Sequence, residues 1–169
     1  VRSLSLEERD RIIDSALEDL GPHDPPIREL ESVYYTFELV FDYGAYREFK
    51  RHRMQTYIPQ PLTVDLGYVI PPLIERADLK GQFEEAIQVV EDAFHRISKE
   101  FPRQGEYLVT HAHKRRVLSQ MNLRECYHFF KLRVQPDAHF TIRDAALQAV
   151  DLVKGVHPLL LKFINLRQG

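Results

Sequence analysis

The segment from Asn122 to Val134, NLRECYHFFKLRV, limits the fold more than any other. Read as a helix, it carries one apolar stripe of Leu123, Cys126, Tyr127, Phe130 and Val134 and a second of Phe129 and Leu132. A helix that is apolar on two sides is mostly buried, so other elements must cover both. Asn122 suits the N-cap, where a side-chain oxygen can accept a free backbone N–H of the first turn. Pro136 ends the segment, because proline has no N–H to give and clashes with the preceding turn.

The rest of the chain offers those covering elements. Ser5 and Glu8 form a capping-box pattern ahead of a stripe of Leu6, Ile12, Ile13, Ala16, Leu17 and Leu20, closed by Gly21-Pro22. VYYTFELVF, Val33 to Phe41, reads as a strand, placed centrally by its β-branched and aromatic content. Tyr43 to Arg53 reads as a helix, and Pro59 and Pro61 forbid a helix beyond it. Leu62 to Pro72 reads as a short strand, Phe83 to Phe101 as a helix and Gln104 to His111 as a short helix. Lys114 to Met121 reads as a strand and Ala138 to Gly155 as the last long helix. No repeat or low-complexity tract is visible. Strands interrupted by helices imply an α/β (α+β) chain with a central mixed sheet flanked by helices.

With 169 residues and 44% hydrophobic content, the chain fits one domain with a real core, residues 1–169. Its 23 basic and 25 acidic residues nearly balance, so no general nucleic-acid affinity is expected and any basic patch is local. A single cysteine excludes an internal disulfide and suits a reducing compartment, hence the cytoplasm. No apolar run approaches the roughly 18 residues that a membrane span needs, and no signal peptide is visible. The opening on Val1, straight into a helix signal, suggests a fragment of a longer chain.

Two local basic features stand out. Lys50, Arg51, His52 and Arg53 run into a proline-stiffened segment. Positive residues at a helix end complement the macrodipole, which accounts for them without a ligand. Successive helical residues point about 100° apart, however, so at least one of Arg51, His52 and Arg53 must face inward. On the second helix Arg124 and His128 share a sector. Either Arg124 meets a carboxylate or solvent, or Arg124, His128 and Arg133 line a cleft for an anionic ligand. His111-Ala-His113 has metal-like spacing but no third ligand nearby, so no metal is expected. Cys126 reads as a small core residue. There is no glycine-rich phosphate loop, and no Ser-His-Asp arrangement can be picked out.

Together, RHR (Arg51 to Arg53) and NLRECYHFFKLR (Asn122 to Arg133) resemble, in order and spacing, the two signature stretches of the flavin-dependent thymidylate synthases. The resemblance runs from about Val33 onward. It implies that family's fold and its reaction, the FAD-dependent reductive methylation of dUMP to dTMP. Methylenetetrahydrofolate and NADPH are the family's co-substrates. It also implies a homo-oligomer with FAD where subunits meet, or pairing with a sister domain. By motif match, Arg51, His52, Arg53, Asn122, Arg124 and His128 are flavin-site residues and Arg133 is the arginine that polarises dUMP. Arginine suits a pyrophosphate because its rigid fork donates to two oxygens at once.

The departures concern the nucleotide. The family continues after RHR with Ser, Asn-Glu, Ser and Arg, whereas this chain has Thr56, Ile58-Pro59, Pro61 and Thr63. Counting back from Asn122 puts Glu106 where the family has a substrate-phosphate arginine. At about 4 Å and an effective dielectric near 20, the repulsion would be about 4 kcal/mol before screening. Pro136 to Thr141 also differs from the family's Ser-His-Ala-Gln-Trp-Glu, and the family's N-terminal strand is missing. The expectation is a domain whose flavin-side residues are kept and whose dUMP loop is degenerate. The alternative is a non-catalytic scaffold that completes a sister domain's flavin site.

Overall fold

The computed structural model describes residues 3–166, so Val1, on which the fragment expectation rests, lies outside it. The helices are α1 (Leu6–Leu17), α2 (Tyr43–Phe49), α3 (Pro72–Arg76), α4 (Lys80–Ser98), α5 (Pro102–Gly105), α6 (Leu123–Arg133) and α7 (Phe140–Val156). The strands are β1 (Tyr34–Asp42), β2 (Gln55–Pro59) and β3 (Lys114–Asn122), and they form one sheet in the order β1-β3-β2. The mixed α/β class therefore holds. β3 is the central strand, and β1, expected at the centre, is at an edge among the described residues. The pairing of β1 with β3 is antiparallel: Leu123 N–H donates to the Val33 carbonyl at 2.7 Å, and Tyr43 N–H to that of His113 at 2.9 Å.

The chain divides into two compact units. One comprises the residues up to Phe37, His52–Thr56 and Ser119 onward. It is built on α6, which begins where expected because Asn122 has an extended backbone and its Oδ1 accepts the Glu125 N–H at 2.9 Å. Leu123, Cys126, Tyr127, Phe130 and Val134 are all fully buried, and Phe129 is at 1% exposure. The first stripe is therefore as read, but Leu132 of the second stays 42% exposed. Helix α7 contributes the buried residues Ile142, Ala146, Ala149, Val150 and Val153 to the same core. The Tyr127 hydroxyl donates to the Leu160 carbonyl at 2.6 Å, and Arg143 Nε to that of Val134 at 3.1 Å. Helix α1 starts with both capping-box bonds, between Ser5 and Glu8, but ends at Leu17, short of Leu20. Its stripe turns outward: only Leu17 is buried, while Leu6 and Ile12 are 76% and 55% exposed.

The other unit comprises Glu38–Arg51 and Tyr57–Leu118. Helix α2 ends at Phe49, before the basic run, and buries Ala45, Tyr46 and Phe49. Its N-cap is Asp42, whose Oδ1 accepts the Ala45 N–H at 2.9 Å. Helix α4 buries only Ile87 and Phe94, and Phe94 packs with Val64 and Val109. Leu62 to Pro72 does not form the expected strand. Gly67 turns the chain at φ +74°, a region that suits glycine, and a single bridge between Tyr68 and His113 remains. In place of one helix from Gln104 to His111 there are α5 and a 3-10 turn, Glu106–Leu108.

Candidate functional site

In the first unit, one side of α6 faces the loop Pro22–Pro26 across a cleft of about 420 Å³. Asn122, Arg124, Glu125, Tyr127, His128 and Lys131 line it from the helix, with Glu31 and Met54 completing the wall. Arg124, His128 and Lys131 share this side because residues four and seven positions along a helix return to one face. Two of them hold the loop through its carbonyl groups. Arg124 Nε donates to Pro26 O at 3.1 Å, and Lys131 Nζ to Pro22 O and Asp24 O at 3.3 and 3.4 Å. Arg124 Nη1 also donates to Glu31 Oε1 at 3.1 Å, so this arginine does meet a carboxylate and lines the cleft as well. The Glu31 carboxyl is held below its usual range, first by the hydrogen bond from Arg28 and further by Arg124.

Behind the cleft lies a chain of three polar side chains, two of them buried and the third, Arg133, partly so. His52 is 4% exposed and Glu125 7%. His52 Nδ1 lies 3.1 Å from Glu125 Oε1, and Arg133 Nε donates to His52 Nε2 at 3.0 Å. Arginine has donors only, so Nε2 is the acceptor and the ring proton sits on Nδ1, which donates to Glu125. The imidazole stands edge-on to Phe129, with ring centroids 5.1 Å apart at 89°, and 5.5 Å from the ring of His128. The first-turn N–H of Glu125 is itself fixed by the Asn122 cap.

The residues singled out by sequence thus fall in different places. Asn122, Arg124 and His128 line the cleft, with the Asn122 oxygen engaged in the helix cap. His52 and Arg133 meet each other and connect to the cleft through Glu125. Arg53 belongs to the same unit, is exposed and does not line the cleft. Arg51 belongs to the other unit, is exposed, and donates its backbone N–H to Glu48 O at 3.1 Å. Of the three RHR side chains, the one that faces inward is the histidine. The segment Thr56 to Thr63 enters through β2, where Gln55 Oε1 accepts from the Ser119 hydroxyl at 2.6 Å.

Sequence reasoning did not single out Glu125, Lys131, Met54 or the loop. Glu125 did leave a signal. A carboxylate between two apolar stripes must find a partner, because an unpaired buried charge is costly. The histidines of HAH do not sit on a strand: His111 is exposed with Arg47 Nη1 at 3.3 Å, and His113 is fully buried. His113 Nδ1 accepts from the Thr110 N–H at 3.1 Å and meets its hydroxyl at 2.8 Å, while Nε2 lies 3.6 Å from Glu91 Oε1. Burial pushes the Cys126 thiol well above its ordinary range, as expected of a core residue.

A strand–cap–helix unit with a cleft along α6 is thus set in a mixed α/β fold. The profile of the family described as thymidylate synthase complementing protein matches residues 3–159, and the chain belongs to this family. A UPF0159 protein of Thermoplasma acidophilum is 38% identical over 146 residues, covering 82% of this chain and 29% of that protein. A UPF0159 protein of Chlamydia muridarum is 34% identical over 143 residues, covering 85% and 27%. A flavin-dependent thymidylate synthase of Sulfolobus acidocaldarius is 30% identical over 143 residues, covering 79% and 55%. The chain therefore spans less than a third of these UPF0159 relatives and about half of the synthase. Among the described residues, no helix is long and apolar enough to cross a membrane.

Proposed function

We propose that this chain is a flavin-dependent thymidylate synthase-like domain that keeps the flavin-side residues and has lost the dUMP-side loop. One observation carries the reading. His52 and the segment Asn122 to Arg133, far apart in sequence, meet in a largely buried hydrogen-bonded chain that borders the cleft. Asn122, Arg124 and His128 would hold FAD there. The donor set fits in part: the Arg124 guanidinium suits a pyrophosphate, and asparagine and histidine suit the polar edge of an isoalloxazine. The cleft is near the low end of small-molecule sites, about 300–1,000 Å³, so one copy has room for part of a dinucleotide. That size favours a site completed by a second copy or by a sister domain. When bound, the flavin would supply the redox chemistry, with methylenetetrahydrofolate and NADPH as co-substrates in a cytoplasmic enzyme.

A second reading has its own support. Arg124 is already bonded to Glu31 and to the Pro26 carbonyl, and Asp24, Glu31 and Glu125 bring carboxylates to the same walls. A domain so neutralised could serve as a scaffold that completes a sister domain's flavin site. Calorimetry and flavin absorbance on the purified chain with FAD separate the two readings. The first expects binding of FAD and weak or no binding of dUMP. No flavin binding in any oligomeric state would remove the cofactor claim, and tight dUMP binding would remove the claim of a lost loop. Activity confined to the full-length protein and surviving Arg133→Ala would establish the scaffold.

A further inference from the structure

We propose that Glu125 is a positioning residue for Arg133 and that it acts through His52. Among the described contacts it reaches Arg133 through the imidazole. The argument is one of donors and acceptors. An arginine Nε–H can be held by His52 Nε2 only while that nitrogen keeps its lone pair. The Glu125 carboxylate, an acceptor at 3.1 Å on the other side of the ring, draws the proton to Nδ1 and so leaves Nε2 open to Arg133 at 3.0 Å. Water does not readily substitute for either partner, because His52 and Glu125 have side chains only 2% and 7% exposed. The edge-on contact with Phe129 restricts the tilt of the ring. The carboxylate is anchored in turn, since Asn122 fixes the start of α6 at the Glu125 N–H. The result is a line of hydrogen bonds from helix cap to guanidinium.

The use of this line in the reaction rests on the reading of Arg133 as the nucleotide-facing arginine; the line itself does not. The test therefore needs both a ligand-free and a ligand-dependent measurement. Long-range proton–nitrogen correlation spectra of the full chain, with His52 assigned by His52→Gln, report which ring nitrogen carries the proton. The Arg133 Nε–H signal reports its protection from water. We expect Nδ1 to be protonated and the Arg133 Nε–H protected in the wild type and in Glu125→Gln, whose amide oxygen still accepts. Both signatures should be lost in Glu125→Met. A wild-type proton on Nε2 would overturn the proposal. So would both signatures surviving in Glu125→Met, or loss of Arg133 protection in folded Glu125→Gln. If Glu125→Met does not fold, the wild type and Glu125→Gln still decide.

FAD and dUMP are then titrated separately. For whichever probe loses affinity in Arg133→Ala, Glu125→Met should lose on the order of tenfold, and Glu125→Gln should recover it. Wild-type affinity in folded Glu125→Met would refute the positioning role and leave the family reading intact. Intact spectroscopic signatures with no dependence of either probe on Arg133 would support the positioning line and refute the family reading of that arginine.

Discussion

Asp42 and Asn122 cap their helices in the same way: each side-chain Oδ1 accepts, at 2.9 Å, the backbone N–H three residues on, at Ala45 and Glu125 respectively. Each ends a nine-residue strand and starts the helix that follows. Phe37 and Val117, Phe41 and Met121, and Phe49 and Phe129 hold matching, buried positions around the two caps. Arg53 and Arg133 fall at the same step beyond them. The local plan is thus used twice, although the side chains share too little for the repeat to show in the sequence.

Loss of either cap should be felt. Asp42→Ala and Asn122→Ala are each expected to lower stability by about 1 kcal/mol, read from urea denaturation midpoints at constant slope. Asp42→Asn should retain the cap. It replaces Oδ2, a buried oxygen without a hydrogen-bond partner among the described residues, by an uncharged NH2 group, so its stability should stay within about 1 kcal/mol of the wild type.

The two stripes of α6 should respond unequally. Phe130 is fully buried, and Phe130→Ala is expected to cost about 3–5 kcal/mol through lost contacts and the cavity left behind. Leu132 is 42% exposed, and Leu132→Ala should stay within about 0.5 kcal/mol. Thermal or urea unfolding of the two variants compares them directly.

Glu31 competes with any anion for Arg124. If the cleft binds flavin, Glu31→Gln should tighten FAD binding in calorimetry and Arg124→Ala should weaken it. If the domain is a scaffold, neither change moves the affinity of the isolated chain.

His113 gives a pH dependence with a defined sign. Burial lowers its pKa below the ordinary 6.5, with Glu91 opposing in part. The unfolded chain therefore takes up this proton more readily than the fold does. This contribution leaves stability untouched well above that value and reduces it as pH falls below about 6.5 toward the depressed folded value. Stability curves between about pH 7 and pH 5 should be flatter in His113→Gln than in the wild type.

Cys126 should resist thiol reagents in the folded state, since the thiolate is the reactive form and burial suppresses it. Labelling kinetics should show reaction only as the chain unfolds.

Much of this fold was legible because periodicity and caps are local. The start of α6 at Asn122 and the capping box of α1 follow from residues within one turn, and β3 follows from its own composition. What failed depended on distant partners. The α1 stripe has the spacing of a buried face, yet Leu6 and Ile12 stay exposed, and no local rule says whether a face is covered. The apolar content of β1 suggested a central strand, but sheet order is set by pairing across the chain. Gly67 broke the expected strand at Leu62 to Pro72 through a single positive φ. Of the site, the motif residues were readable and the links between them were not. Glu125 carries no motif, and its meaning appears only once His52 has been folded against α6.

The doubled plan is not filled alike in its two copies. Gly44 stands at the step in the first copy that Arg124 takes in the second. A Cβ at Gly44 would come within 2.8 Å of the Asp42 capping oxygen, so a side chain there would require that oxygen to shift. Neither cap draws on the segment after Arg53, so each helix start is fixed by its own Asp or Asn. A search template for far-drifted members should accordingly be keyed to the interval from capping Asp or Asn to terminal arginine, sought twice in one chain, and not to the residues between.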